Sequence, residues 1–103
     1  MITTLTSFTL SKPISRDEAV AIFRTTAPTY RGVAGLIRKT YVLYPDGVTV
    51  GGIYLWKTRK DAEAMYSDDW RAFVRGKYNC EPQVTWLDSP IVVDNVTQQI
   101  TED

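Results

Sequence analysis

Two runs of β-branched and aromatic residues, 36–44 and 48–56, dominate the hydrophobic pattern and flank Pro-Asp-Gly at 45–47. Proline presets the backbone of the first turn residue, and glycine can adopt the left-handed conformation that closes a short hairpin. The pattern therefore predicts a β-hairpin in which Tyr44 faces Val48. Counting outward predicts the pairs Leu36–Trp56, Arg38–Tyr54, Thr40–Gly52 and Val42–Val50 on one face, and Ile37–Leu55, Lys39–Ile53, Tyr41–Gly51 and Leu43–Thr49 on the other.

Both faces of this hairpin are mostly apolar. A hairpin with one face in water alternates between apolar and polar residues, and this one does not. Helices of a 103-residue chain can cover one face, so we expect a second copy of the chain to cover the other. Gly51 and Gly52 either leave room for a ring or a ligand or relieve crowding at a strand bulge.

The first part of the chain predicts a strand followed by a helix. Residues 2–10 are rich in Thr, Ile, Leu and Phe, which is typical of a strand. Ser15 followed three residues later by Glu18 predicts a capping box at a helix start, and Pro28 is expected to break or kink that helix.

The last part predicts a second helical unit and two strands. Thr58 is a candidate N-cap, and Ser67 restarts the helix, which continues to about Tyr78. Residues 83–88 and 91–93 predict strands separated by Pro90. The order strand, helix, strand, strand, helix, strand predicts an α+β, ferredoxin-like βαββαβ domain over 1–95, with an antiparallel sheet and a polar C-terminal tail at 96–103.

The composition excludes several classes of chemistry. The chain has no histidine and one cysteine, which excludes Ser-His-Asp and Cys-His catalysis and imidazole metal sites. We therefore expect no metal and no cofactor. The 12 basic and 12 acidic side chains balance, so we expect neither nucleic acid nor membrane as a partner. Lone Cys80 is interpreted as an idle thiol rather than a nucleophile. With no signal-peptide pattern, it favours a cytoplasmic protein.

Three segments of the chain form one motif: Gly35-Leu-Ile-Arg-Lys-Thr-Tyr41, then Gly51-Gly-Ile-Tyr-Leu-Trp56, then a helix beginning Thr-Arg-Lys-Asp-Ala-Glu-Ala. This motif resembles the YdhR-like monooxygenase family. That family belongs to the dimeric α+β barrel superfamily, alongside the antibiotic-biosynthesis monooxygenases. The resemblance covers most of the chain and implies a homodimeric barrel with one small-molecule pocket per subunit, between sheet and helices. It also implies oxidation of a phenolic, aromatic or polyketide-like substrate by O₂ without metal or flavin.

The resemblance and the hairpin register suggest Lys39 and Tyr41 as catalytic residues. Lys39 matches a lysine of the family pattern, and a buried amine is either paired or held neutral by desolvation. Its alternative role is a structural ion pair with a carboxylate of the partner chain. Tyr41, over Gly51, is a candidate pocket wall.

Five further side chains are candidates for substrate binding. Arg38 could clamp a phenolate or simply stack on a ring. The aromatic side chains either line the pocket or pack in the core, and they are Tyr54, Trp56, Tyr66 and Trp70. Two other functions stay open: a non-catalytic protein that binds a small apolar ligand, and a cyclase or isomerase of the same superfamily.

Overall fold

The hydrophobic pattern folds into an antiparallel sheet with helices on one face. The computed structural model describes residues 1–103. Its elements, in chain order, are β1 (Ile2–Thr9), α1 (Arg16–Tyr30), β2 (Leu36–Leu43), β3 (Thr49–Trp56), α2 (Arg59–Met65), α3 (Asp68–Tyr78), β4 (Gln83–Asp88), β5 (Ile91–Asp94) and β6 (Gln99–Glu102).

The four long strands form one sheet in the order β2-β3-β1-β4, and each of its neighbouring pairs is antiparallel. Strand β3 fills the gap between β1 and β2, which α1 connects on one face of the sheet. This is the ferredoxin-like α+β arrangement, so the predicted fold class is confirmed. None of the three helices combines the length and the apolar character needed to span a bilayer.

Side-chain caps fix where the helices begin. The Oγ of Ser15 accepts a hydrogen bond from the Glu18 amide at 3.1 Å, and the Glu18 carboxylate accepts from the Ser15 amide at 3.2 Å. This confirms the predicted capping box. At α2 and α3 only half of this arrangement is present, because the hydroxyl oxygens of Thr58 and Ser67 accept from the amides of Asp61 and Trp70. Pro28 does not end α1, which continues for two more residues and places Tyr30 in its last turn.

The predicted hairpin exists, but the predicted register differs from the observed one by one residue. The Asp46 carboxylate accepts hydrogen bonds from the amides of Val48 and Thr49 and from the Thr49 hydroxyl. These bonds lengthen the turn, so the Tyr44 amide donates to the Thr49 carbonyl at 2.9 Å and Tyr44 does not face Val48.

This shift changes which side chains share a face. Lys39 lies opposite Tyr54 and Tyr41 opposite Gly52. The predicted pairs Arg38–Tyr54, Lys39–Ile53 and Tyr41–Gly51 are therefore wrong. A bulge between Leu36 and Arg38 restores the predicted Leu36–Trp56 pair. As a result, Lys39 and Tyr41 lie on the helix-covered face with Tyr54, while Arg38 points to the other face.

The core lies between the helices and this face of the sheet. Trp56 is fully buried, and its indole N–H donates to the Thr4 hydroxyl at 3.0 Å. The same hydroxyl bonds the Tyr66 phenol, so the polar atoms of both aromatic residues are satisfied inside the core. The buried cluster comprises Phe8, Val50, Tyr54, Trp56, Ala62, Tyr66, Trp70 and Val74.

The opposite face of the sheet is open. Ile53 and Leu87 expose 41% and 45% of their surface there, which is high for side chains on strands of a central sheet. The segment predicted as a polar tail ends in a strand instead, because β6 pairs with β5 in a separate two-stranded sheet. Alternating polar residues in 99–102 concealed this strand, all of whose residues are exposed.

Gly51 marks a position where the sheet requires glycine. A Cβ at this residue would lie 1.8 Å from the Thr6 carbonyl oxygen of β1, and a backbone atom cannot move aside without disturbing the ladder. We expect Gly51→Ala to destabilise the protein by at least about 1–3 kcal/mol, as measured by urea unfolding. Gly76 in α3 has no neighbour within 4 Å, so the control Gly76→Ala should stabilise by about 0.5–1 kcal/mol. Equal effects of the two substitutions would contradict this account of Gly51.

Candidate functional site

A small, largely enclosed cavity lies between the sheet and helices α1 and α3, and it is called the closed cavity to distinguish it from the open clefts beside it. It leaves about 20 Å³ for the centre of a water molecule, enough for about one water. The residues that surround it are Thr6, Phe8, Phe23, Thr26, Tyr30, Lys39, Tyr41, Gly51, Tyr54, Trp70, Phe73, Val74 and Tyr78. This lining is mostly aromatic and apolar, and its one charged residue is Lys39.

The Lys39 amine lies among three tyrosine rings. Its Nζ is 3.3 Å from the ring centroid of Tyr30, 3.9 Å from that of Tyr41 and 4.8 Å from that of Tyr54. Gly52 leaves room beside this side chain, because a Cβ there would lie 3.1 Å from the Lys39 Cε and would push it aside by a few tenths of an ångström. The missing side chain therefore leaves space for the lysine stem, and the expectation that the glycine pair makes room for a ring or a ligand stays a prediction.

No carboxylate pairs with Lys39 within the chain. The four ion pairs are formed by Met1, Arg38, Arg59 and Arg75 with other partners. Burial removes water from the amine and lowers its pKa from 10.5 to about 7. The ring faces favour the ammonium form and oppose this effect. Lys39 can therefore hold or release a proton near neutral pH.

Tyr41 is positioned by α1. Its phenol shares a hydrogen bond of 2.7 Å with the Thr26 hydroxyl, and its ring stacks on Phe23 with centroids 4.7 Å apart. Burial raises the pKa of Tyr41, although the bond from Thr26 partly offsets this effect. Burial also raises the pKa of Tyr54 far above its usual range. Both phenols therefore keep their protons at neutral pH and can act as hydrogen-bond donors.

The structure divides the other predicted site residues into three groups. Tyr54 and Trp70 line the cavity with Lys39 and Tyr41, whereas Trp56 and Tyr66 pack behind it in the core. Arg38 lies on the other face of the sheet, where its guanidinium donates to the Asp94 carboxylate at 3.0 Å. The Arg38–Asp94 pair ties the edge of the main sheet to the β5–β6 hairpin.

Sequence reasoning did not identify Tyr30, whose ring lies nearest to the Lys39 amine. The Trp70 indole N–H donates to the Tyr30 hydroxyl at 3.3 Å. A signal was present, because Phe23, Thr26 and Tyr30 recur at spacings of three and four along α1. The expectation that Pro28 would break the helix concealed this stripe.

Tyr30 also separates the closed cavity from two open clefts. One cleft has about 440 Å³ and is lined by Tyr30, Lys39 and Tyr41 together with Arg31 and other residues. The second has about 320 Å³ and lies between α1 and α3 beside Trp70. Tyr30 lines all three spaces, so its ring forms part of the wall between the closed cavity and each cleft.

Other candidate chemistry in the chain is limited. No group of three or more His, Cys, Asp or Glu side chains is placed to hold a metal ion. Cys80 lies after α3. Burial raises the pKa of its thiol and so disfavours the reactive thiolate form.

The chain is similar in fold to solved structures of antibiotic-biosynthesis monooxygenases. A monooxygenase from the gene ActVA-Orf6 of Streptomyces coelicolor, in complex with the ligand nanaomycin D, shares 17% sequence identity and a TM-score of 0.65 over 85% of this chain and 86% of that chain. SnoaB, a cofactor-independent oxygenase from Streptomyces nogalater, shares 15% identity and a TM-score of 0.61 over 85% and 91% of the two chains. A further antibiotic biosynthesis monooxygenase shares 13% identity and a TM-score of 0.63 over 86% and 98%.

No protein-family model and no curated protein matches the sequence. At the identities of these structures, the likeness shows the shared ferredoxin-like fold. The closer resemblance to the YdhR-like family stays a prediction.

The Lys39 amine should make stability depend on pH. Its pKa is about 7 in the folded protein and 10.5 when unperturbed, so the unfolded state binds more protons between these values and stability rises with pH. The groups facing the amine are the phenols of Tyr30, Tyr41 and Tyr54, and Lys39→Met leaves them in place. The wild type should gain about 2 kcal/mol relative to Lys39→Met between about pH 7 and about pH 9.

Urea unfolding at each pH measures this difference. Lys60 is exposed in α2, so Lys60→Met is the matched control and its difference from the wild type should stay constant with pH. A constant difference for Lys39→Met as well would show that Lys39 keeps its ordinary pKa.

Proposed function

We propose that the protein is a monooxygenase that oxidises a small phenolic or polyketide-like aromatic compound with O₂, without a bound metal or organic cofactor. The observation that carries this proposal is the Lys39 amine, which has no carboxylate partner and lies among tyrosine rings at an aromatic cavity. The similarity in fold to SnoaB and to the monooxygenase bound to nanaomycin D supports the same class of reaction.

In this reaction the substrate itself supplies the electrons. Neutral Lys39 accepts the proton of a phenol or enol, and the resulting anion is electron-rich enough to reduce O₂ directly. For a substrate with a reactive ring CH₂ group, a new C–O bond forms and water is lost. The balanced outcome is that CH₂ and O₂ give C=O and H₂O. The lysine ammonium that forms then stabilises the anion through a charge-assisted hydrogen bond.

The surrounding side chains have separate roles in this proposal. To donate a hydrogen bond to the developing anion, Tyr41 exchanges the bond that it makes to the Thr26 hydroxyl for one to the substrate. Tyr54 and Trp70 form apolar walls that keep the reaction dry. Trp56 and Tyr66 support these walls from the core. Arg38 has no role in binding the substrate in this proposal, because its guanidinium pairs with Asp94 on the opposite face of the sheet.

A substrate can enter the cavity only if its wall moves, and Tyr30 is the wall residue shared with both clefts. A cavity with room for about one water cannot hold an aromatic ring, whereas the two clefts beside Tyr30 have about 440 and 320 Å³. Tyr30 lies in the last turn of α1, and the chain beyond it contains Gly32 with φ of 79°. Rotation of the Tyr30 ring would join the cavity to the clefts, and its contact with Lys39 would be replaced by the substrate.

We also propose that the protein is a homodimer whose subunits meet at the open sheet face. That face exposes Ile37, Ile53 and Leu87, and β5 exposes Ile91 and Val93 beside it. Apolar side chains on two copies of such a face can pack sheet against sheet and bury one another. The β5–β6 hairpin, tied to the sheet by Arg38–Asp94, extends this apolar surface.

Oxygen uptake tests the function. The purified protein should consume O₂ with a phenolic or anthrone-like compound found by a thermal-shift screen, and activity should persist in excess chelator. In Lys39→Met, loss of a charge-assisted hydrogen bond should weaken binding of the substrate anion about ten- to a hundredfold. Folding should survive, because no carboxylate of the chain is stranded. Lys60→Met should match the wild type.

Two results would contradict the monooxygenase, and a third would contradict the role of Lys39. Tight binding without oxygen uptake would indicate a non-catalytic binding protein. Conversion that proceeds equally well under nitrogen would indicate a cyclase or isomerase. Full uptake by Lys39→Met would remove the lysine from the mechanism.

Sedimentation tests the dimer. We expect a dimer at micromolar concentration, and Ile53→Glu should shift it toward monomer, because a charge would be buried against the apolar face of the second copy. The control is Lys60→Glu in α2 on the helix side, which should leave the dimer intact. A folded wild-type monomer would contradict the proposal.

A further inference from the structure

Lys39 differs from every other lysine of the chain in its surroundings. Lys12, Lys57, Lys60 and Lys77 are exposed, whereas Lys39 is half-buried among tyrosine rings. Lys39 nevertheless lines the open cleft of about 440 Å³ as well as the closed cavity. Lys39 thus lies between the two spaces, and the Tyr30 ring over its amine must turn aside before a molecule in the cleft can reach the nitrogen.

The open cleft also has a distinct chemistry. Tyr30, Tyr41 and Leu36 provide aromatic and aliphatic surface, and Arg31 and Arg38 also line the cleft, although the Arg38 guanidinium itself turns to Asp94 on the other face of the sheet. Arg38 is paired with Asp94, but Arg31 is exposed and forms no ion pair. No carboxylate lines this cleft. It therefore suits a flat aromatic molecule that carries one anionic substituent.

We propose that Lys39 is a nucleophile that captures an aromatic aldehyde bearing an anionic group, as a reversible imine. The amine lone pair attacks the aldehyde carbon, so a C–N bond forms and the carbonyl oxygen becomes a hydroxyl group. A C=N bond then forms as the hydroxyl leaves, and the oxygen departs as water with the two protons that the amine has lost. Hydrolysis reverses each step, and no oxidant or reductant is needed.

The cage formed by the rings of Tyr30, Tyr41 and Tyr54 around Lys39 supplies what this reaction requires. Only a neutral amine can attack a carbonyl, and desolvation in an apolar pocket keeps a lysine neutral near physiological pH. The rings of Tyr41 and Tyr54 lie against the amine and both phenols stay protonated, so neither presents a negative charge that would favour the ammonium form. An aldehyde in the cleft would stack on Tyr30 or Tyr41, with Arg31 beside its anionic group.

Reductive trapping on the full chain tests the proposal. The protein is incubated without O₂ with 4-formylbenzoate and cyanoborohydride, and the modified lysines are mapped by peptide mass spectrometry. Near pH 7.5 a lysine with a pKa of about 7 is mostly neutral, and an ordinary lysine is almost entirely charged, so Lys39 should be trapped at least about tenfold faster than each of the other four. The trapping rate should rise with pH to a plateau above about pH 8, whereas exposed lysines keep rising.

Variants separate the cage from general lysine reactivity. Lys39→Met should abolish the fast phase, and Lys60→Met should leave it unchanged. Benzaldehyde, which has no anionic group, should be trapped more slowly than 4-formylbenzoate, and Arg31→Gln should reduce that preference. Competition among the five lysines of the wild-type protein gives a result even if Lys39→Met does not fold.

Equal labelling rates for all five lysines, or slower labelling of Lys39 than of the others, would overturn the proposal. Equal trapping of the two aldehydes would overturn the anionic substrate class. The test is independent of the oxygenase proposal, because it contains no O₂. Oxygen uptake without trapping would overturn the imine alone, and trapping without uptake would overturn the monooxygenase alone.

Discussion

The three hydrogen bonds accepted by the Asp46 carboxylate determine the chemistry of the whole domain. They hold the β2–β3 turn one residue longer than the three-residue turn predicted from the sequence, and one residue of register reverses the face on which the β2 side chains beyond the bulge lie. Lys39 and Tyr41 are thereby placed under the helices. With the shorter turn, the amine would point to the open face and Arg38 would occupy the cavity.

The sheet and the helices contribute different residues to the cavity. β2 and β3 bring the lysine and two tyrosines, and the last turn of α1 brings the ring that covers the amine. The core behind them is fixed by the Thr4 hydroxyl, which bonds both the Trp56 indole and the Tyr66 phenol. Such a satisfied polar group between two large aromatic side chains specifies one packing arrangement, so the cavity wall has a rigid support.

The sequence predicts the fold well because its strongest signals are local and repeated. The hairpin, the capping box at Ser15 and the helix restart at Ser67 each depend on side chains close together in the chain. Register was not predictable in this way, since it depends on the geometry of Asp46 in the turn. The cage also escaped prediction because Tyr30 is brought to Lys39 only by the packing of α1, and Pro28 suggested that the helix ended earlier.

Gly52 has a consequence for how this site can change through evolution. Its absent side chain leaves room beside the Lys39 stem, because a Cβ there would lie 3.1 Å from the Lys39 Cε and 3.0 Å from the Tyr54 ring. A descendant that keeps the lysine cannot easily fill position 52. A descendant that loses the lysine leaves a void there, which a larger residue would relieve. The two positions are thus expected to covary, and the residue at 52 would distinguish lineages that retain the amine from those that have abandoned it.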